Sequence, residues 1–336
     1  MKKTAAVIAA FAAVVLAALL AYDGIVNKEI TADFFAMNTY VTVKLKGTDS
    51  AECAQQAQKI TESLDKEVLS RTEKGSLVYN FNQNGGGTFE NEKGLFEYIS
   101  VLLDVSEKSG GAFDFTLGAV SDLWSFGSAP LVPDEAELAQ TLSHSGYEKL
   151  KFNGESLVYS DKKAVIDFGA AGKGIALDEI RSYLEDKRIK EAVVSVGGSV
   201  LLMGDKAFTV GIRNPEGNSG SYIAKLSVPG CCVSTSGSYE QQFEQGGKRY
   251  HHILDPETGY PADNGLVSVT IVSESGILSD ALSTACFVLG LEKGRKLAAE
   301  YGCSAVFVTE DKTVYLEGIS EDVIELTDSS YTLVIE

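Results

Sequence analysis

Two regions of the chain hold most of the side chains whose type and spacing could perform chemistry. Residues 166–174 read IDFGAAGKG, which predicts a strand, a glycine turn and a helix start that carries Lys173. Residues 251–261 read HHILDPETGYP, and residues 279–284, SDALST, place a carboxylate four residues before a hydroxyl. Backbone N–H groups at a helix start bind phosphate, and carboxylate and hydroxyl oxygens suit a hard cation. The combination predicts a site for a magnesium-bound pyrophosphate.

Each of these patterns, taken alone, also has an ordinary structural explanation. The glycine turn has neither the Walker A spacing nor the dinucleotide-binding fingerprint, so its composition alone favours a tight turn with a solvated Lys173. If a helix begins with Ser279 as its N-cap, Asp280 and Thr284 share one face. Asp280 could then simply complement the helix dipole while Thr284 packs.

Histidines and one further aspartate are the remaining candidates. His251 and His252 precede turn-forming residues, and one of them could exchange a proton with a bound ligand while the other is structural. Asp114 follows a glycine pair after a predicted helix, where it could stabilise a turn or accept hydrogen bonds from a heterocycle. The serines lack the Gly-x-Ser-x-Gly pattern of a nucleophile elbow, which argues against a serine hydrolase.

Hydrophobic periodicity predicts the elements that must position these residues. In the first half, alternation predicts a strand at 40–45, and helical spacing predicts helices at 51–68 and 94–109. In the second half, strands are predicted at residues 164–168, 192–196, 208–212, 222–228, 266–272, 305–308 and 331–335, and helices at 175–186, 279–289 and 293–300. Because the elements mix without a strict βαβ period, we expect an α+β fold with a mixed, mostly antiparallel sheet and flanking helices.

Composition bounds the class of protein. The chain has 336 residues, 44% of them hydrophobic, which is enough for a large core. The formal net charge is −18 and no cluster of Lys or Arg interrupts it. Such a surface repels phosphate backbones, so nucleic-acid binding is excluded.

The N-terminus reads as a targeting segment. Lys2 and Lys3 precede an uninterrupted apolar run at 5–21, which predicts a signal peptide or signal anchor over residues 1–22. No Ala-x-Ala pattern ends the run, which favours an uncleaved anchor. The positive residues are expected to stay in the cytosol, which places the rest outside it. A linker over 23–32 and a single large domain over 33–336 complete the predicted organisation.

Taken in order, the motifs resemble the ApbE family, the FAD:protein FMN transferases. The resemblance covers about residues 35–308, and the combination of short stretches is far more specific than any one of them. The matching stretches are 37–39, 69–82, 111–118, 123–127, 167–174 with Asp178, 195–198, 234–239, 250–259 and 279–284. The family has a single T-fold-like domain, binds FAD and, with Mg²⁺, transfers FMN to a Ser or Thr hydroxyl of an acceptor flavoprotein while AMP leaves.

The resemblance implies a set of site residues in this chain. The implied FAD contacts are Met37, Thr72, Ala112, Phe113, Asp114, Asp167, Lys173 and Leu254. The implied metal ligands are Asp280, Ser283, Thr284 and the backbone carbonyl of Ala170, and the implied catalytic residues are Asp280, His252 and Lys173. Either Asp280 or His252 could accept the proton of the acceptor hydroxyl.

The implied function is Mg²⁺-dependent transfer of FMN to flavoprotein subunits of membrane electron-transport complexes, on the extracytosolic face of the bacterial cytoplasmic membrane. Two positions depart from the family pattern: Asn38 stands in place of a glycine, and Thr72 stands where many relatives carry a tyrosine over the flavin ring. The alternatives are an FAD pyrophosphatase that releases FMN and AMP, with water as the acceptor, and a flavin-binding protein without turnover.

Overall fold

The structure is a computed structural model that describes residues 14–15, 24, 27–84, 94–127, 129–152, 156–218 and 220–335. The hydrophobic helix predicted at residues 1–22 lies almost wholly outside these residues. Within them, no helix has the length and apolar character needed to cross a membrane. The first strand begins at Glu29, inside the predicted linker.

Helices and strands alternate irregularly along the described chain. The helices are α1 (Ser50–Ser63), continued by a π-helical segment (Leu64–Leu69), α2 (Leu77–Gln83), α3 (Leu95–Lys108), α4 (Gly118–Trp124), α5 (Glu135–Leu142), α6 (Gly172–Glu185), α7 (Gly276–Leu289) and α8 (Leu291–Glu300). The strands are β1 (Glu29–Ala36), β2 (Thr39–Gly47), β3 (Leu150–Phe152), β4 (Leu157–Tyr159), β5 (Ile189–Val196), β6 (Ser199–Met203), β7 (Phe208–Arg213), β8 (Tyr222–Val228), β9 (Cys232–Gly237), β10 (Gln242–Gln245), β11 (Lys248–His251), β12 (Leu266–Ser273), β13 (Ser304–Thr309), β14 (Thr313–Glu317), β15 (Ile324–Leu326) and β16 (Thr332–Val334).

A nine-stranded sheet forms the centre of the described structure, in the order β1-β2-β5-β6-β9-β12-β13-β14-β16. Its neighbouring strands pair antiparallel except β14 and β16, which are parallel. A smaller sheet, β15-β8-β7, and the ribbons β3-β4 and β10-β11 complete the strand pairing of the described residues. The prediction of an α+β fold with a mixed, mostly antiparallel sheet is therefore confirmed.

The central sheet buries apolar side chains on both faces. On one face, Val43 and Val194 pack under α1 and α6, and Ile271 and Phe307 pack under α7. On the other face, the small sheet covers β6, β9, β13 and β14 through residues such as Leu226. These layers fix the ends of the strands, where the polar candidates lie.

Several elements meet at one end of the central sheet. The β1–β2 turn, the β5–β6 turn and the C-terminal end of β9 all lie there, because β2, β5, β6 and β9 are adjacent and antiparallel. The first turn of α6 lies at the same end. The sheet therefore brings together segments that are up to two hundred residues apart in the sequence.

Two of the predicted elements differ from the structure. Residues 164–168 do not form a strand beyond a single bridge between Val165 and Leu117, because the side chain of Asn82 hydrogen-bonds both the N–H and the carbonyl of Ile166. Helix α7 begins at Gly276 rather than after Ser279. Its N-cap is Ser275, whose hydroxyl accepts the Leu278 N–H. Asp280 thus lies in the second turn of the helix and not at its dipole end.

Candidate active site

A cavity of about 720 Å³ lies at this end of the central sheet. Of the thirteen site residues that the family resemblance implies, twelve line it, and Ser283 does not. The twelve are Met37, Thr72, Ala112, Phe113, Asp114, Asp167, Ala170, Lys173, His252, Leu254, Asp280 and Thr284. A volume of this size is typical of sites for small molecules and cofactors.

A contact between two glycines sets the position of Asp280. Helices α6 and α7 cross so closely that a Cβ atom on Gly174 would lie 2.1 Å from the carbonyl oxygen of Gly276. A Cβ on Gly276 would lie 2.3 Å from the carbonyl oxygen of Gly174. Asp178 stabilises the crossing, since its carboxylate accepts the N–H groups of Gly276 and Ile277 at the start of α7. This contact places the second turn of α7 beside the first turn of α6.

The Asp280 carboxylate is 4% exposed and is held from several sides. Its Oδ2 accepts the Gly174 N–H at 3.0 Å and its Oδ1 accepts the Ser199 hydroxyl at 3.1 Å. The Lys173 ammonium lies 3.6 Å from Oδ1 and also donates to the carbonyl of Gly169. Gly174 is the third residue of α6, where the backbone N–H has no acceptor within the helix, so the carboxylate caps it.

A chain of hydroxyl groups orients Thr284. Ser283, which is fully buried, donates to the backbone carbonyl of Asp280 at 2.8 Å. Its oxygen therefore accepts from Ser236 at 2.8 Å, and Ser236 in turn accepts from Thr284 at 3.2 Å. Because a hydroxyl has one proton and two lone pairs, Thr284 keeps its acceptor capacity for a group in the cavity.

The donor set fits a hard cation. The residues implied as ligands offer carboxylate, hydroxyl and carbonyl oxygens, which Mg²⁺ prefers over the nitrogen and sulfur ligands of zinc. No group of three His, Cys, Asp or Glu residues that could hold a metal occurs in the part of the chain that the structure describes. One buried carboxylate leaves most of the positive charge for anionic substrate oxygens, as expected for magnesium bound through a phosphate.

The two adjacent histidines have different surroundings. His252 lines the cavity, and its Nδ1 lies 3.1 Å from the carbonyl of Glu240. A carbonyl can only accept, so Nδ1 carries the proton and Nε2 keeps a free lone pair. Burial, together with the positive charge of Lys173, lowers the pKa of His252 to about 4, which keeps the ring neutral. His251 instead bonds the Ala262 carbonyl and packs edge-on against Phe287, a structural role.

The β1–β2 turn forms one wall of the cavity. Met37 and Asn38 both have positive φ angles, 52° and 57°. Asparagine tolerates this region, so it replaces the family's glycine without loss of the turn. The conformation costs Met37 about 1–2 kcal/mol, which the hydrogen bond from its N–H to Asp65 helps to offset.

The other implied flavin contacts line the remaining wall. Asp114 accepts the N–H groups of Thr116 and Tyr147, and burial raises the pKa of its carboxyl. Leu254 packs in a cluster around Trp124. Thr72 is exposed, and its hydroxyl pairs with that of Ser70. This wall therefore combines fixed carboxylates with apolar surface.

Arg71 is a cavity residue that the sequence reading missed. Its Nε donates to Asp167 at 2.8 Å and its Nη1 to Asp122 at 2.6 Å. The second oxygen of Asp167 accepts the Gly169 N–H at 2.8 Å. The sequence signal is weak: the family stretch 69–82 contains two basic residues, Arg71 and Lys74, and nothing local distinguishes them. The two carboxylates that hold Arg71 come from distant segments. Arg71 therefore fixes the carboxylate implied to contact the flavin.

We expect Arg71→Ala to raise the KM for FAD about tenfold with little change in kcat. The substitution frees Asp167 but leaves Lys173, Asp280 and Thr284, the residues suited to bind phosphate and metal, unchanged. Arg71→Lys keeps the positive charge but not the planar guanidinium that binds two carboxylates. We therefore expect its KM to lie between those of the wild-type and Arg71→Ala enzymes. Steady-state kinetics check this, with Lys74→Ala as the control for a lost surface cation nearby. An Arg71→Ala enzyme with unchanged KM would show that Asp167 holds its position without the arginine.

Comparisons with known proteins identify the family of this chain. The profile of the ApbE family matches residues 37–307. The chain is 33% identical over 288 residues to an FAD:protein FMN transferase of Treponema pallidum, covering 79% of this chain and 80% of the relative. It is 31% identical over 313 residues to an FAD:protein FMN transferase of Klebsiella pneumoniae, covering 92% of this chain and 98% of the relative.

Solved structures give the same result at the level of the fold. The ApbE protein of Thermotoga maritima superimposes with a TM-score of 0.77 at 30% identity, covering 90% of this chain and 98% of that one. The flavinyl transferase ApbE of Pseudomonas stutzeri superimposes with a TM-score of 0.74 at 29% identity, covering 84% of this chain and 91% of that one. The resemblance drawn from the sequence motifs is thus confirmed, and the chain belongs to the ApbE family.

Proposed function

We propose that this protein is an FAD:protein FMN transferase that moves FMN from FAD to a Ser or Thr hydroxyl of an acceptor flavoprotein, with Mg²⁺ as cofactor and AMP as the leaving group. The observation that carries the proposal is the convergence of Lys173, Asp280, Thr284 and a neutral His252 on one cavity. The names of the relatives support the same reaction.

The proposed metal site uses the Asp280 carboxylate, the Thr284 hydroxyl and the Ala170 carbonyl, and these three residues line the same cavity as Lys173. Ser283 stabilises this site indirectly. It hydrogen-bonds the backbone carbonyl of Asp280 and, through Ser236, orients the hydroxyl of Thr284. When bound, Mg²⁺ neutralises charge on the pyrophosphate oxygens. The Lys173 ammonium would neutralise part of the same negative charge. Asp280 and the carbonyl of Gly169 already orient it.

In the proposed reaction the acceptor oxygen bonds to the FMN-side phosphorus. The bridging P–O bond breaks, and its electron pair leaves with AMP. The hydroxyl proton passes to Nε2 of His252, whose lone pair is kept free because Nδ1 donates to Glu240. Asp280 is less suited to take this proton because both of its oxygens already accept hydrogen bonds. His252 is thus the general base of the proposal.

The role of His252 predicts an unusual pH profile. Its pKa of about 4 lies below the ordinary value of a histidine, so the ring stays unprotonated and active as the pH falls through 6.5. We expect kcat/KM for FAD to lack an inflection near 6.5 and to decline only as the pH approaches 4. An acid limb centred near 6.5 would mean that the acting base is more exposed than His252.

Replacement of His252 tests the same assignment. We expect His252→Gln to lower kcat by about 100-fold, since a positioned base is worth roughly that factor or more. His251→Gln is the matched control, because that ring hydrogen-bonds the Ala262 carbonyl rather than lining the cavity. Equal kcat values for the two variants at equal folded fraction would remove His252 from the mechanism.

Water is the competing acceptor, and one observation favours considering it. Thr72 is exposed on the cavity wall, where it offers no ring to cover a flavin. An FAD pyrophosphatase would use the same residues, Lys173, Asp280 and Thr284, and would release FMN and AMP. The proposal includes transfer rather than hydrolysis because the relatives named for their activity are transferases.

The proposed place of action is the extracytosolic face of the bacterial cytoplasmic membrane. The support is the sequence of the N-terminus, where Lys2 and Lys3 precede an apolar run. The proposed acceptors are flavoprotein subunits of membrane electron-transport complexes, which an anchored enzyme would meet on that face. Fractionation of cells that express the full chain tests this, and recovery of the protein in the cytosol would contradict it.

Product analysis separates transfer from hydrolysis. The protein is mixed with FAD and Mg²⁺, with and without a Thr-containing acceptor domain of a membrane flavoprotein, and the free nucleotides are separated and counted. We expect AMP to form in step with loss of free flavin only when acceptor is present, and a metal chelator to stop both. Free FMN equal to AMP without any acceptor would identify a pyrophosphatase.

A further inference from the structure

The outer surface of the β1–β2 hairpin carries two large aromatic side chains that nothing in the described structure covers. Phe35 is 60% exposed and Tyr40 is 79% exposed. They face each other across the hairpin in register, with ring centroids 5.6 Å apart and an interplanar angle of 84°. Aromatic rings this exposed are uncommon on a surface that has no binding role.

The aromatic pair is continuous with the cavity. Only one residue on each strand separates it from the Met37–Asn38 turn, and Met37, Asn38 and Thr39 line the cavity. At about 3.3 Å per residue, Phe35 lies roughly 7 Å along the strand from Met37. The two rings therefore lie next to the turn that lines the cavity.

The hairpin is a fixed surface. On its inner face, Ala36 and Val41 are buried against the helical layer, and the Met37 N–H is bound by Asp65. On its outer face, the Thr42 hydroxyl donates to Asp33, and Lys44 pairs with Glu29 at 3.0 Å. The two rings are thus presented on a rigid sheet, which limits the entropy lost when something binds them.

We infer that Phe35 and Tyr40 form a docking site for the acceptor protein, specifically for an extended segment next to its reactive Ser or Thr that places an apolar side chain on the two rings. The inference rests on the proposed function. A hydroxyl that belongs to a protein can enter the cavity only if the residues beside it lie on the rim, and an extended segment that passes the Met37–Asn38 turn reaches the aromatic pair within two or three residues of that turn. Exposed aromatic anchors beside a reaction site are typical of such contacts.

The charges on this face disfavour a lipid surface as the occupant. Binding to anionic lipid needs clustered Lys or Arg side chains. Two lysines of β2 lie on the outer face of the hairpin, and both are paired: Lys44 with Glu29 and Lys46 with Glu191. Asp33 adds another negative charge, and the chain as a whole carries −18. An apolar segment of a protein meets no such penalty.

The test uses the double variant Phe35→Thr with Tyr40→Thr, which keeps β-forming residues on an exposed strand. Tyr222→Thr is the control, since that ring is 47% exposed on a strand of the smaller sheet and does not line the cavity. The probe is an acceptor domain that the wild-type enzyme flavinylates. We expect the KM for this acceptor to rise about tenfold, with the Kd for FAD and the acceptor-saturated kcat within twofold of wild type.

Each other outcome overturns the inference in a recognisable way. An acceptor KM equal to that of the Tyr222→Thr control means that the rings do not contact the acceptor. A weaker Kd for FAD by the same factor assigns the rings to the flavin site, and a changed oligomeric state assigns them to a second copy of the chain. No FMN transfer by the wild-type enzyme removes the proposed function and this inference together.

Discussion

Replacement of Asp280 by asparagine is expected to lower the rate of FMN transfer by at least about 10³-fold. Asparagine keeps the size of the side chain and one acceptor oxygen for the Gly174 N–H, so the helix contact survives. It removes the negative charge that holds Lys173 at 3.6 Å and that the proposed metal ligation needs. The measurement is acceptor flavinylation across a range of Mg²⁺ concentrations.

The Asp280→Asn enzyme should stay inactive at saturating Mg²⁺ because the lost group is a ligand and not only a source of affinity. Ser199→Ala is the matched control. It removes the hydrogen bond to Oδ1 of the same carboxylate but keeps the charge, and Ser199 does not line the cavity. We expect its rate to stay within about tenfold of wild type. A fully active Asp280→Asn enzyme would refute the assigned metal site.

Gly174→Ala is the second change with a large expected effect, on stability as well as on activity. The new Cβ would lie 2.1 Å from the carbonyl oxygen of Gly276 and 2.9 Å from the Cβ of Asp280. Both contacts involve atoms that cannot rotate away, so the two helices must separate by more than 1 Å. We expect a loss of about 3 kcal/mol in the free energy of unfolding and a Tm lower by about 5–10 °C.

The same variant should lose activity in its folded fraction, because separation of α6 and α7 breaks the hydrogen bond between Gly174 and Asp280. Gly172→Ala is the control within the same helix turn. There the nearest atom to a new Cβ is the flexible Met37 Cε at 3.3 Å, which can move. The Tm of both variants is measured by calorimetry, and we expect Gly174→Ala to have the lower value. Equal Tm values would mean that α6 and α7 can cross without the contact between Gly174 and Gly276.

Local patterns were sufficient for the regular elements and for the residue types of the site. Alternation in β2 and helical spacing in α3 arise from the face that each element buries, so they are legible in the sequence. The start of α7 was not, because Ser275 and Ser279 lie one turn apart and both are good N-cap residues. The Asp178 carboxylate that binds the first N–H groups of the helix comes from a segment about a hundred residues earlier, so this contact is not visible in the local sequence.

The same distinction applies to the site. Family motifs supplied twelve residues that line the cavity, whereas the role of Arg71 depends on Asp122 and Asp167, which approach it only in the fold. The choice of general base also needed the structure. Sequence left Asp280 and His252 open, and the hydrogen bonds on Asp280 together with the buried, neutral ring of His252 favour the histidine.

The most direct test of FMN transfer is the intact mass of an acceptor domain after incubation with the wild-type protein, FAD and Mg²⁺, with the Asp280→Asn protein measured in parallel. We expect the wild-type protein to yield an acceptor heavier by one FMN, attached at a Ser or Thr, and the variant to leave the acceptor unmodified. An unmodified acceptor in both reactions, with FMN and AMP free in the wild-type sample, would contradict transfer and establish hydrolysis of FAD in its place.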